Sequence, residues 1–216
     1  MNSKFSPIQV GLALICLFIT SSAALALVQQ RDTTVVDLLG QSETILRGTI
    51  KSVTDGIDAD GLPYTEVTVN VTETIRGSVG SQYKFRQFGL LKPRSMGNGM
   101  VNLMVTPAGW TMYTQGEEAI LFLNRHAKYT GLQTTVGLGR GKFKISPAGA
   151  ANSANNTGLF EHIKVEPGLL AESDLHVVGN RKGAVDTLAF VSLVRKAVKG
   201  RWIEDGKMRN DAEHAR

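Results

Sequence analysis

The chain has 216 residues, with 24 Lys and Arg against 19 Asp and Glu, which gives a formal charge of +5. Nucleic-acid-binding proteins concentrate basic residues together with stacking aromatic residues. Here the charge excess is small and aromatic residues make up 6% of the chain, so the composition argues against that class. The length suffices for one domain with its own core and some extensions.

The first 26 residues have the pattern of a secretory signal peptide. One charged residue, Lys4, precedes an apolar stretch from Val10 to Ile19, and small residues follow up to Ala26. This apolar stretch is shorter than the roughly 20 residues that a membrane-spanning helix needs. We expect cleavage before Leu27, a periplasmic or extracellular location, and no membrane span after cleavage. Loss of Lys4 leaves 23 Lys and Arg against 19 Asp and Glu, a charge of +4.

Cysteine chemistry is not expected in the mature chain. The single cysteine, Cys16, lies inside the predicted signal peptide. A disulfide, a thiol nucleophile or a thiolate metal site is therefore excluded, although an exported protein could carry disulfides. The mature protein must be held together by its core.

A short helix is predicted near the start of the mature chain. Its apolar residues recur at helical spacing: Val35, Leu38 and Leu39. Asp32 or Thr33 is the expected cap, and Gly40 the expected stop.

Two strands joined by a hairpin follow. Residues 43–53 are rich in β-branched residues, and Gly48 at their middle predicts a sharp bend. Asp and Gly are dense in 54–63, which predicts the hairpin loop. The stretch 65–77 alternates valines with polar residues as a half-buried strand does. Glu73 falls in register with the valines, and burial of its carboxylate would be costly, so we expect a β-bulge there.

Four more strands are predicted beyond this hairpin. Residues 81–89 form a strand with one wet face, and a long Gly- and Met-containing loop follows over 89–116. The unbroken apolar run in 117–124 is typical of a central strand covered on both faces. Two further short strands are predicted within 132–146.

The last 70 residues are predicted to lie outside the β domain. The small, uncharged stretch 147–158 is interpreted as a flexible linker. A C-terminal extension over 159–200 contains a helix at 186–199, which could cover the central strand. Its apolar stripe comprises Leu188, Val191, Val194 and Val198. The charged tail, 201–216, is expected to be disordered.

These elements predict a mainly β fold, a small OB-like barrel over residues 27–146. The segments "ILRGTIKSV", "YTEVTVNVTETIRG", "YKFRQFG", "GEEAILFL" and "VGLGRGKFKI" resemble, in this order, a group of uncharacterised secreted bacterial proteins. The resemblance covers roughly residues 35–146.

The first two of these segments are also similar to the opening of netrin-like and tissue-inhibitor-of-metalloproteinase domains, which share the OB barrel. Those inhibitors are stapled by disulfides and block a catalytic zinc through an N-terminal cysteine. This chain has Leu27 at its predicted new terminus and no cysteine after it. The resemblance therefore implies the barrel and not the inhibitory mechanism.

Catalytic motifs are missing from the sequence. The chain has four histidines, His126, His162, His176 and His214, and none of them forms the zinc-binding motif H-E-x-x-H. The serine hydrolase motif G-x-S-x-G does not occur either. We therefore expect a protein that is not an enzyme and needs no cofactor.

Basic residues on the predicted strands are the first candidate binding site. They could form an outward basic face, if their strands are neighbours, and bind anionic glycans or lipid headgroups. These residues are Lys84, Arg86, Arg140, Lys142 and Lys144, and Trp110 of the long loop is a further candidate binding residue. Charged outward residues also keep strand edges from aggregating, and this alternative remains open.

Methionines in the long loop are the second candidate site. Met96, Met100 and Met104 recur every fourth residue, and Trp110 and His126 follow. Thioethers are soft ligands suited to cuprous ion. The alternative is that flexible methionines pack the loop onto the barrel.

The sequence thus predicts an exported, non-catalytic binding module. Its barrel face and the loop 89–116 would contact an extracytoplasmic protein or an anionic glycan. A periplasmic Cu(I)-binding protein is the alternative.

Overall fold

The computed structural model describes residues 33–211. Of the residues, 35% are in β-strands and 17% in helices, which confirms the predicted mainly β class. The helices are α1 (Val35–Gln41), a 3-10 helix (Leu138–Gly141), α2 (Glu172–Val178) and α3 (Thr187–Lys199). The strands are β1 (Thr44–Ile57), β2 (Pro63–Arg76), β3 (Gln82–Phe88), β4 (Arg94–Ser95), β5 (Val101–Asn102), β6 (Glu118–Leu123), β7 (Lys142–Ser146), β8 (Gly149–Ala151), β9 (Ile163–Val165) and β10 (Met208–Asn210).

Six strands form one antiparallel sheet in the order β3-β2-β1-β6-β7-β8. β4 pairs with β5, and β9 with β10, in two separate two-stranded sheets. Within residues 33–211 the sheet does not close into a barrel. Of the two strands predicted within 132–146, only β7 forms, because Leu138–Gly141 turns as a 3-10 helix. The more specific OB-like assignment stays a prediction.

The predicted N-terminal helix is present as α1, and it begins within two residues of the predicted cap. α1 buries Val35, Leu38 and Leu39. Its cap is Thr34 rather than Asp32 or Thr33, since the Thr34 side chain and Asp37 form a reciprocal capping box.

The predicted bulge lies in β2. Arg47 of β1 pairs with Glu73, whereas the next residue, Gly48, pairs with Val71, so β2 carries one extra residue at this point. The predicted bulge near Glu73 is therefore confirmed. The Glu73 carboxylate accepts a hydrogen bond from the Arg195 guanidinium of α3 at 2.6 Å, which pairs its charge.

Gly48 lies in β1 beside the bulge of β2, where the two backbones approach closely. A Cβ at this position would lie 2.3 Å from the Asn70 carbonyl oxygen and 2.8 Å from a Val69 methyl carbon. We expect Gly48→Ala to lower the free energy of unfolding by about 1–3 kcal/mol, because the β1–β2 backbones would have to separate. Urea unfolding measures this. Gly80→Ala is the control, since the nearest atom to its Cβ is 3.9 Å away. Equal stability of both variants would contradict the tight packing at Gly48.

The central strand β6 is covered on both faces, as predicted. Ala119, Leu121 and Leu123 belong to a core cluster with the valines of β2. Ile120 and Phe122 point the other way, into a larger cluster that includes both α1 and α3. The sheet therefore separates two cores, and the alternation along β6 supplies both.

Helix α3 closes the larger core, but its buried stripe differs from the predicted one. Val191 and Val194 are buried as expected, whereas Leu188 is 70% exposed. Phe190 is fully buried, with its ring centroid 4.7 Å from that of Phe143 on β7. Leu188 lies two residues before Phe190, about 200° around the helix, and is therefore on the face of α3 opposite the Phe190 ring.

The predicted flexible linker, 147–158, is part of the fold. It contributes β8 to the sheet, and the Asn156 side chain is fully buried. Asn156 donates to the carbonyl oxygens of Ala150 at 2.9 Å and Gly183 at 2.8 Å, and accepts from the Asn152 backbone at 3.0 Å. Asn side chains thus take over backbone hydrogen bonding, so small polar composition here does not mean flexibility.

The tail was expected to be disordered, but residues 201–211 belong to the fold. Trp202 and Met208 are buried in the larger core, and β10 pairs with β9. The predicted signal peptide, 1–26, and the last five residues, 212–216, lie outside the described residues. None of the helices within residues 33–211 has the length and apolar character that crossing a membrane requires.

Candidate functional site

The predicted basic face is divided between two parts of the sheet. Lys84 and Arg86 lie on the edge strand β3, whereas Lys142 and Lys144 lie on β7. β2, β1 and β6 separate these two strands in the sheet. The structure therefore does not bring the five basic residues together on one continuous face.

The β3 pair forms a surface ion-pair cluster with β2. Lys84 Nζ lies 3.1 Å from Glu66 Oε1, and Arg86 Nε donates to Glu66 Oε2 at 2.8 Å. The hydrogen bond from Arg86, together with Lys84, holds the pKa of the Glu66 carboxyl below its usual range. The Arg86 guanidinium lies 4.1 Å from the centre of the Tyr64 ring. These contacts support the interpretation that the charges protect a strand edge.

Lys142 does not point outward as predicted. Its side chain is 12% exposed and forms an ion pair with the similarly buried Glu117, just before β6. Lys142 Nζ donates to the Met112 carbonyl oxygen at 2.6 Å and lies 5.3 Å from the centre of the Tyr113 ring. A lysine buried to this degree needs such partners, because an unpaired ammonium in a core is costly.

Tyr113 joins this buried ion pair to the smaller core. Its ring packs edge-on against Phe85 of β3, with centroids 5.5 Å apart. Burial raises the pKa of the Tyr113 phenol well above its usual range, and the nearby Thr135 and Thr111 hydroxyls oppose this only in part. The hydroxyl makes no hydrogen bond of good geometry within the described part of the chain.

Trp110, Lys142 and Lys144 meet in a pocket of about 440 Å³ between the end of the long loop and strands β7 and β8. The Trp110 ring packs near Phe88, with centroids 6.3 Å apart. Thr111 follows Trp110 in the chain, and its carbonyl oxygen accepts a hydrogen bond from Gln87 Nε2 at 2.9 Å. This hydrogen bond fixes the end of the loop to β3. The pocket therefore combines an aromatic side chain with one exposed ammonium group, that of Lys144, because the Lys142 ammonium is held by Glu117 and the Met112 carbonyl oxygen.

The pocket is also lined by short polar residues that no sequence pattern indicates. They are Ser146, Asn152 and Ser153, in and beside the predicted linker. Short polar side chains in an uncharged segment carry no distinctive pattern, so only the tertiary structure identifies them. Arg140 lies close by in the 3-10 helix, where its Nη1 donates to the Thr157 carbonyl oxygen at 3.0 Å.

Two of the three methionines, Met96 and Met100, lie in the turn of the hairpin formed by β4 and β5. The Met96 N–H donates to the Met100 carbonyl oxygen at 2.9 Å, one step beyond the Ser95–Val101 pair. Residues paired across antiparallel strands have side chains on the same face, so Met96 lies beside Met100. Met104 follows in the return segment, where its carbonyl oxygen accepts from Leu90 N–H at 2.9 Å. All three methionine side chains are exposed.

His126 is not part of the methionine site. Its Nε2 lies 3.2 Å from the Tyr83 hydroxyl and its Nδ1 3.1 Å from the Gly131 carbonyl oxygen. Tyr83 is near the start of β3, and the methionine hairpin follows the other end, beyond Phe88. Five residues of strand span about 17 Å. Among residues 33–211, no group of three or more His, Cys, Asp or Glu could hold a metal ion.

Exposed apolar side chains are concentrated in the same loop. Ten large apolar side chains are exposed among the described residues, and seven of them lie within residues 91–112: Leu91, Met96, Met100, Val101, Leu103, Met104 and Met112. Single exposed apolar residues are normal on a protein surface, whereas a cluster marks an interaction site. Of the described surface, this loop has the strongest apolar character.

No protein-family model matches the chain, and the comparison with curated proteins also finds no match. The resemblance to secreted bacterial proteins and to netrin-like domains therefore stays a prediction.

Proposed function

We propose that the chain is an exported, non-catalytic binding module that contacts an extracytoplasmic protein through the loop 89–116. The observation that carries this proposal is the cluster of seven exposed apolar side chains in residues 91–112. A partner would bury these side chains and gain roughly 25 cal/mol for each Å² of apolar surface removed from water.

The backbone of the loop that carries these side chains is fixed at its base by an ion pair and hydrogen bonds. Its base is fixed by Asp55 near the end of β1, which forms an ion pair with Arg94 and accepts from the Leu91 N–H at 2.8 Å. Leu90 and Thr106 complete the base, since the Thr106 N–H donates to the Leu90 carbonyl oxygen at 2.9 Å. A surface that is already ordered loses less conformational entropy on binding. This arrangement supports a docking role for the hairpin.

An OB-like organisation of the sheet is part of this proposal. The segment after β6 pairs back onto it through a Leu123–Thr135 bridge, and its Gln133 N–H donates to the Arg86 carbonyl oxygen of β3 at 2.7 Å. These contacts link the edge strand β3 to β6 and support a partly open barrel. OB barrels bind with their middle strands and flanking loops, which by analogy alone favours the same side of the molecule.

The test is capture of a partner by the purified mature protein from the extracytoplasmic fraction of its own cells, followed by reconstitution with the purified partner. We expect the double variant Met100→Ser, Leu103→Ser to weaken binding of that partner at least about tenfold, because two anchoring apolar side chains are lost.

Leu188→Ser is the matched control. Leu188 and Leu103 are both 70% exposed, but Leu188 lies on α3 and not in the loop. It should bind like the wild type, and all variants should keep the wild-type melting temperature. A partner that binds the double variant as tightly as the wild type would refute the proposed contact surface.

A Cu(I)-binding function is the second candidate, and the cross-strand placement of Met96 beside Met100 favours it. Two thioethers on one face of a hairpin can share a soft cation, with Met104 as a third ligand. This Cu(I) site consists of methionines alone, because the His126 imidazole lies beside Tyr83 instead.

Competition with a chromophoric Cu(I) chelator under reducing conditions tests this candidate. We expect Met100→Leu to weaken Cu(I) binding about tenfold or more, because one of few soft ligands is lost. Met112→Leu, which removes an exposed methionine outside the hairpin, should have no effect. No metal uptake by the wild type at micromolar Cu(I), or equal loss in both variants, would end the idea.

A further inference from the structure

We infer that the pocket between Trp110 and strands β7 and β8 binds an acidic saccharide, a sugar unit that carries a carboxylate. This inference rests on the proposed function, since it takes the loop 89–116 as the binding element. It adds a ligand class and a second contact site to it. The pocket volume of about 440 Å³ is in the range of small-molecule sites.

The aromatic wall supplies the first part of the recognition. Trp110 is partly exposed and lines the pocket, while Phe88 packs near its ring and the Gln87–Thr111 hydrogen bond holds the adjacent backbone. An indole face held in place in this way can pack against the flat C–H face of a sugar or against an aromatic ring.

The charge of the pocket supplies the second part. Lys142 and Lys144 both line it, and one carboxylate, Glu117, serves both. Glu117 is already engaged by Lys142, and the Lys144 ammonium lies 4.0 Å from its second oxygen. The Lys144 side chain is 65% exposed and can turn toward a ligand. The pocket thus offers a positive charge that a ligand carboxylate would pair.

The short polar residues that line the pocket distinguish a sugar from an aromatic acid. The Ser146 hydroxyl is engaged in the β7–β8 turn, where it donates to the Gly149 carbonyl oxygen at 3.2 Å and accepts from the Ala148 N–H at 3.3 Å. Ser153 is exposed in the pocket, so its hydroxyl can bind a hydroxyl of a sugar ring. Asn152 serves the fold instead, since its Nδ2 donates to the Arg140 carbonyl oxygen and its Oδ1 accepts from two backbone N–H groups. An aromatic acid would leave the Ser153 hydroxyl unused. A sugar with a carboxylate uses all three features.

Isothermal titration of the mature protein with digalacturonate tests the inference, with neutral digalactose and phenylacetate as competing probes. We expect digalacturonate to bind best. Lys144→Met should weaken its binding at least about tenfold, the effect of losing one charge-assisted hydrogen bond. Trp110→Leu should reduce binding below detection. Lys92→Met, at an exposed lysine outside the pocket, should not change it.

Three results would overturn the inference: no binding of digalacturonate at millimolar concentration, equal binding of digalactose or phenylacetate, or unchanged binding by Lys144→Met. The hairpin variant Met100→Ser, Leu103→Ser should bind digalacturonate like the wild type. The two proposals are thereby tested separately. Failure to capture a partner, with intact sugar binding, would contradict only the docking role of the hairpin. Failure to bind the sugar, with intact partner capture, would contradict only the ligand proposed for the pocket.

Discussion

Val69→Asp should unfold the domain. Val69 is fully buried in the smaller core, where its β2 position pairs with Ile50 of β1 and Tyr83 of β3. A carboxylate there would lose its hydration without gaining a partner, at a cost of about 4 kcal/mol or more. This is a large part of the 5–15 kcal/mol by which domains are typically stable. We expect circular dichroism to show no cooperative thermal transition at 25 °C and above.

Asn70→Asp is the control for this experiment. Asn70 is the next residue of β2, is exposed, and differs from Asp by one group. Adjacent strand residues point to opposite faces, so this carboxylate stays in water and the melting temperature should change little. If Val69→Asp instead melted like Asn70→Asp, the assignment of the buried face of β2 would be wrong.

Phe190→Ala should cause the second-largest loss of stability. The Phe190 ring is fully buried and lies between those of Phe122, Phe143 and Phe160. Removing it leaves a cavity where α3 meets the sheet, which typically costs about 3–5 kcal/mol. Urea unfolding of the mature protein measures the change.

Leu188→Ala tests the same helix on its solvent side. Because Leu188 is mostly exposed, its truncation should change the free energy of unfolding by less than about 0.5 kcal/mol. A larger loss for Leu188→Ala than for Phe190→Ala would restore the helical stripe predicted from sequence and contradict the observed packing of α3.

The β1–β2 hairpin and β6 follow directly from local sequence patterns. Alternating valines indicate a strand with one buried face, and a carboxylate such as Glu73 is costly at a position that would lie on that face. An unbroken apolar strand such as β6 must be covered on both faces. Each of these requirements acts within a few residues, so the sequence contains it. The partner of β6 on its larger-core side, Phe190, lies 68 positions after Phe122, and helical spacing alone could not select it over Leu188.

The linker and the tail were interpreted wrongly for a common physical reason. Low apolar content suggests that a segment cannot stabilise its own fold. Asn156 instead satisfies backbone groups of Ala150 and Gly183, and Trp202 and Met208 enter a core that other segments provide. Such segments are ordered by long-range contacts, which composition does not show.

The candidate site was partly predictable. The long loop follows from its glycines, whereas the exposure of its methionines decides between the two alternatives that the sequence leaves open. The pocket does not follow from the sequence, because Lys142 and Lys144 are two residues apart on one strand, and their side chains nevertheless differ in exposure, 12% against 65%, through tertiary contacts that spacing does not show. His126 and the β3 lysine and arginine were grouped by residue type, and the fold places them beside Tyr83 and Glu66 instead.

Hydrogen–deuterium exchange of the mature protein, free and bound to its captured partner, tests the docking role of the loop most directly. We expect added protection of the amides in residues 91–104, the methionine hairpin and its return segment, with little change in α3. Protection confined to other parts of the molecule, with the hairpin exchanging as in the free protein, would contradict the account.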